Sequence, residues 1–123
     1  MDKSWWGQIR FFKPSDFACP CCGQVKIDWK LVKCLDDIVF RIAKPIHVNS
    51  GYRCPKHNEE VGGVPDSAHT KGLAVDIHIP DNKFRYEVIA YATLFCIPRI
   101  GIGKNFIHLD IDETKPHPRL WVY

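Results

Sequence analysis

No long apolar run occurs in the 123 residues, so the chain reads as having no membrane-spanning segment. Internal repeats and low-complexity tracts are missing too, which excludes solenoids and disordered arrays. No Pro-, Gly- or Ser-rich stretch is long enough to be a linker. A chain of this length suits one domain and is short for two, so 1–123 is taken as a single domain. The first 17 residues lack the apolar centre of a signal peptide, because Asp2, Lys3, Gln8, Arg10 and Lys13 break up their aromatics. Strong charge of one sign is absent as well. Lys and Arg number 17 against 14 Asp and Glu, a formal +3, and the basic residues are scattered along the chain. That is ordinary surface charge. It tolerates an anionic partner but is no nucleic-acid footprint.

Cysteine is present, and unevenly placed. Cys34 and Cys96 fall within helical patterns and read as small buried hydrophobes. Cys19, Cys21 and Cys22 form a C-x-C-C run, with Cys54 far downstream. Without an export signal these thiols are expected to be reduced at synthesis. Three arrangements stay open for them: a structural metal knuckle, a disulfide from Cys54 to one of the first three, or free thiols.

Hydrophobic periodicity supplies the elements. Asp28 can cap a helix running to about Ala43, with Leu31, Leu35, Ile38, Val39 and Ile42 as its buried stripe. Residues 46–50 read as a short strand closed by Gly51, and 55–61 as a short helical segment ended by Gly62 and Gly63. Residues 73–79 are a strand. Asp81 caps a second helix over 82–95, with Phe84, Val88, Tyr91, Ala92 and Phe95 inward. Residues 99–102 and 106–111 form a hairpin around Gly103. The expected fold class is α+β: a small antiparallel sheet with helices packed on one face.

The chemistry lies on two of these strands. Alternation puts Ala74, Asp76 and His78 on one face of the first, and Phe106, His108, Asp110 and Asp112 on one face of the last. Side by side, the strands would bring Asp76 to His108, and His69 would reach in from the loop that Gly72 turns. Two histidines and an aspartate suit a catalytic zinc, which takes three protein ligands and leaves a fourth position for water. Water in such a site is acidified to about pKa 7. His47, His57, His78 and His117 are read as non-ligands.

These residues also resemble a known family. Ser50-Gly51-Tyr52-Arg53, Val61-Gly62-Gly63 and the S-x-H-x-x-G-x-A-x-D run from Ser67 to Asp76 are similar to the zinc D-Ala-D-Ala carboxypeptidases. That family of peptidoglycan metallopeptidases includes vancomycin-resistance D,D-peptidases and phage endolysins and shares its fold with the hedgehog signalling domain. Phe106-Ile107-His108 with Asp110, followed by Arg119-Leu120-Trp121, resembles the branch with a F-[IV]-H-x-D ending. The similarity runs from about Phe12 to Trp121. It implies zinc on His69, Asp76 and His108. It implies that Arg53 holds a substrate carboxylate or a developing oxyanion, for which a guanidinium fork is suited. Ser67 would bind substrate or orient its loop.

One position departs from the pattern. Many relatives carry a general-base carboxylate three residues before the last zinc histidine, where this chain has Asn105. Asp110, about 7 Å along the strand from His108, is the substitute candidate. It acts as the base, or it only steadies His108, or it does neither; Asp112 is a further candidate. The expected activity is cleavage of peptidoglycan peptides at a D-amino acid by a monomer. Such a protein would be made in the cytoplasm and act on the cell wall after phage-mediated release, or as a virion component. The other reading is a non-catalytic, zinc-stabilised module that binds the cell wall.

Overall fold

A computed structural model describes residues 4–95 and 97–123. Its longest helix, α1 (Trp29–Ile42), starts where the Asp28 side chain accepts the Lys30 amide. It ends at Ala43, which takes a left-handed backbone (φ 60°). All five expected stripe residues are buried, joined by Val32 and Asp36. Burying each such aliphatic side chain is worth roughly 1.5–3 kcal/mol. Asp36 is fully buried but not unpaired. It accepts the backbone amides of Arg10 and Phe11 and the Arg10 side chain, tying the N-terminal segment onto α1.

The chain continues through β1 (Val48–Ser50), α2 (Pro55–Glu60), a 3-10 turn at Ala68–Lys71 and β2 (Ala74–His78). Then come α3 (Asn82–Leu94), β3 (Arg99–Ile102), β4 (Phe106–Asp110) and β5 (Arg119–Val122). Asp81 caps α3 through the Phe84 amide, as expected. Of its inward residues, Phe84, Val88 and Ala92 are buried, while Tyr91 and Phe95 are half-buried. The five strands lie in the order β1-β2-β4-β3-β5. All neighbours are antiparallel except β3 and β5. Val75, Ile77, Ile107, Leu109 and Ile100 face α1 and α3 in one core. The fold is the expected α+β arrangement.

Two features differ from the sequence reading. β5 was not expected. It is four residues long, follows two prolines, and is mostly exposed, so it has no apolar alternation to reveal it. Its parallel partner β3 is also distant in sequence, which no local pattern reports. The reading of Cys96 falls outside the described residues, and Cys34 is half-buried with its thiol toward the Phe95 carbonyl. Among the described residues no helix is long and apolar enough to cross a membrane.

Candidate metal centre and cleft

Sheet register assembles the site. Asp76 in β2 is the direct cross-strand partner of His108 in β4, and the next residues on the same face pair Ala74 with Asp110. Side chains opposite one another in antiparallel strands stand about 5 Å apart, so this register alone brings carboxylate to imidazole. His69 arrives from the 3-10 turn. The Ser67 hydroxyl accepts the His69 amide at 3.2 Å and so caps that turn. Gly72 ends it with a left-handed backbone (φ 72°). A Cβ on Gly72 would collide with the Lys26 carbonyl, so only glycine returns the chain into β2 here.

One ligand atom each from His69, Asp76 and His108 lies within 4.8 Å of the others. The hydrogen-bond pattern tests whether they fit a metal. His69 Nδ1 sits 2.8 Å from the Gly51 carbonyl, which can only accept, so Nδ1 carries the proton. Nε2 then holds a bare lone pair. It is buried, has no hydrogen-bond partner among the described residues and lies 3.4 Å from Asp76 Oδ2. A buried acceptor without a donor is costly unless something cationic completes it. A histidine whose far nitrogen is fixed by a carbonyl is how proteins present imidazole to a metal.

His108 is held between two carboxylates, Nδ1 at 2.8 Å from Asp76 and Nε2 at 2.7 Å from Asp110. Burial pushes its pKa down, but the bonds to Asp110 and Asp76 outweigh this and hold it above the ordinary value. The Asp76 carboxyl is pushed up by burial. The hydrogen bond and charge of His108 overcome that and keep it well below the usual carboxylate range. The set is thus two histidine rings around an ionised carboxylate, and an ion bound there would take the place of the proton between His108 Nδ1 and Asp76.

Arg53, Ser67 and Asp110 line the same cleft of about 430 Å³. The Arg53 fork is braced by the Ser50 hydroxyl and the Asn58 amide oxygen, and its last nitrogen lies 3.4 Å from Asp76. Asp110 is 1% exposed and fully engaged: besides His108 it takes the Arg99 guanidinium and the Asp112 amide. Asn105 is exposed at the far end of β4 and does not line the cleft. Asp112, also outside the lining, is buried against Lys71 and Thr114. His78 is exposed, and neither it nor His47, His57 or His117 joins the cluster.

Sequence reasoning missed several partners. Arg99 pairs with Asp110 across the β3–β4 hairpin, a register that the short turn implies. The Gly51 carbonyl and Asn58 carry no side-chain signal of their kind. Trp121 of β5 lies 5.6 Å from the His108 ring and walls the cleft. It does so over Gly101, where a Cβ would strike the indole.

The cysteines separate into a second group. Cys19, Cys22 and Cys54 bring their sulfurs within 4.8 Å of one another, and Cys21 is exposed beside them. None of the four is in a disulfide. Burial pushes the Cys19 thiol up. The backbone amides of Cys54, Cys22 and Cys21 and the Cys54 thiol outweigh it and bring it to about 7.

Comparison with curated protein sequences gives no match. The model of the peptidase M15 family, by contrast, matches residues 11–110, which contain α1, the His69 turn and strands β1 to β4. That span carries every cleft residue named above except Trp121. The resemblance to the zinc D-Ala-D-Ala carboxypeptidases therefore holds, and the chain belongs to the peptidase M15 family of metallopeptidases.

Proposed function

We propose that this protein is a zinc peptidase that hydrolyses peptidoglycan stem or cross-link peptides at a D-amino acid, as a D-Ala-D-Ala carboxypeptidase or endopeptidase. The observation that carries the metal is the buried Nε2 of His69, without a hydrogen-bond partner among the described residues and 3.4 Å from Asp76 beside His108. These three side chains would hold the ion. Zinc in such a set supplies Lewis acidity, polarising a carbonyl and lowering the pKa of water.

The chain's own groups do the rest. Arg53, already braced by Ser50 and Asn58, presents cationic nitrogens to the cleft and receives a substrate carboxylate or the charge that develops on the scissile carbonyl. Lys115 also lines the cleft, so a peptide ending in a free carboxylate suits it. Ser67 holds the His69 turn in place. Asp110, locked onto His108 Nε2 and Arg99, fixes the imidazole so that Nδ1 faces the metal side. Trp121 and the Gly62–Val64 segment close the walls. The endolysins among the resembled proteins support a role in phage lysis or in a virion.

A second reading has one observation in its favour. The carboxylates lining the cleft, Asp76 and Asp110, are both already bonded to imidazole and guanidinium, which leaves no carboxylate free to take a proton. A zinc-stabilised wall-binding module would need none. One experiment separates the two. Purified protein is incubated with defined muropeptides, with zinc or with chelator, and the products are read by mass spectrometry. Release of D-alanine or a cut cross-link, abolished by chelator and by Arg53→Ala, is expected. Sedimentation with intact cell walls and no cleavage of any muropeptide would replace the first reading by the second.

A further inference from the structure

We infer that Cys19, Cys22 and Cys54 form a second, thiolate-rich metal site that takes zinc for a structural purpose, apart from the cleft.

Three sulfurs within 4.8 Å of one another are close enough to become edges of one tetrahedron around an ion. At a zinc–sulfur bond of about 2.3 Å those edges would be about 3.8 Å. A disulfide would join two of the sulfurs and leave the third against them, whereas a single ion uses all three. Cys19, Cys21 and Cys22 form a C-x-C-C run in the sequence. The operative pair is Cys19 and Cys22, a C-x-x-C spacing with Pro20 and Cys21 between. The backbone is already shaped for it. The Gly23 amide closes the turn onto the Cys19 carbonyl at 2.8 Å. The Cys54 amide donates to Cys19 Sγ and the His57 amide to Cys54 Sγ, each at 3.4 Å. Amides aimed at sulfur favour the thiolate that a metal requires, and each thiol that binds releases its proton to solvent. Cys21, exposed and next in sequence to Cys22, is the further thiol available for the fourth corner.

The position explains the use. Cys54 directly follows Arg53, and Gly51, whose carbonyl fixes His69, lies three residues before it. This segment is joined to the N-terminal loop by the Tyr52 amide on the Phe17 carbonyl. A metal clamp between residues 19–22 and 54 would hold the strip that carries both Arg53 and the Gly51 carbonyl.

The test uses the full chain, purified reduced and without chelator. Zinc is counted by mass spectrometry, then replaced by cobalt(II). The His69→Ala, His108→Ala variant lacks the cleft ligands and separates this site from the peptidase reading. It should keep about one zinc per chain where wild type holds about two. Cobalt-loaded protein should show sulfur-to-cobalt charge transfer in the near ultraviolet, lost in Cys22→Ser, Cys54→Ser together with one metal. That spectrum is read on wild type, so it decides even where a variant fails to fold. It also stands if muropeptide cleavage fails. Wild-type cobalt protein without the sulfur band, a metal-free histidine variant that remains folded, or a native disulfide among these cysteines would overturn the proposal.

Discussion

His108 and Leu109 are neighbours in β4 and face opposite environments. Leu109 is fully buried between the sheet and the helices, in a core where size and hydrocarbon character are what count. His108 is bonded through both ring nitrogens on the cleft side, where individual atoms count. The two faces therefore fail differently. A change on the helix side alters how much of the protein is folded. A change on the cleft side alters what the folded protein binds.

The hardest test of that division is His108→Ala. The helix side is untouched, so circular dichroism should remain that of a folded protein. Metal affinity at the cleft should fall by more than the 10- to 100-fold that loss of an outer partner costs. Metal titration of the purified variant checks this; wild-type affinity would break the comparison. Leu109→Ala is the mirror experiment. Deleting a buried leucine side chain costs about 2–5 kcal/mol, so the urea midpoint should drop sharply. The folded fraction should still bind the cleft metal with near wild-type affinity. A parallel loss of affinity would show that the two faces are not separable.

The difference between the faces also governs what could be read from sequence. Helix α1 was legible because Asp28 marks its start and five apolar residues recur at helical spacing. The Asp76–His108 pair followed from strand alternation, since one strand register decides which side chains meet. His69 needed the motif around it, because a turn has no period. Least legible were contacts made by main chain or by distant pairing: the Gly51 carbonyl on His69, and β5 with Trp121. Backbone groups are the same at every residue, so sequence carries no mark of which one is used. The roles of Asp110 also stayed open there, because strand phase gives a face and not a hydrogen-bond partner.

Asp110→Asn asks how far the atom-by-atom rule extends beyond the three ligands. Its carboxylate holds His108 Nε2 at 2.7 Å while the Arg99 guanidinium holds it from the other side. If its task is to fix the imidazole, the amide should weaken cleft metal by roughly 10- to 100-fold, and excess zinc should restore turnover. If it is the proton acceptor instead, affinity should stay and turnover should fall by about 10²-fold or more at saturating zinc. Titration and kinetics on the same sample distinguish the two, and no change in either would remove Asp110 from both roles.

The smallest effect sits where the two faces meet. Asp112, just beyond β4, is fully buried yet does not line the cleft. It accepts Lys71 Nζ at 2.9 Å, and Lys71 ends the turn that carries His69. Burial pushes its carboxyl up, but hydrogen bonds from Thr114 and Lys71 outweigh this and hold it below the ordinary value. A carboxylate with a depressed folded pKa adds stability above its unfolded value, about pH 4, and that stability is lost as pH falls through the folded value. Lys71 is partly exposed, so the contribution is modest. Asp112→Asn should therefore be less stable than wild type at neutral pH, with the gap closing under acid, while cleft metal affinity at neutral pH changes little. Urea melts of both proteins across this pH range provide the measurement. A gap that stays constant with pH would mean that the Asp112 charge contributes nothing to holding the His69 turn against the sheet.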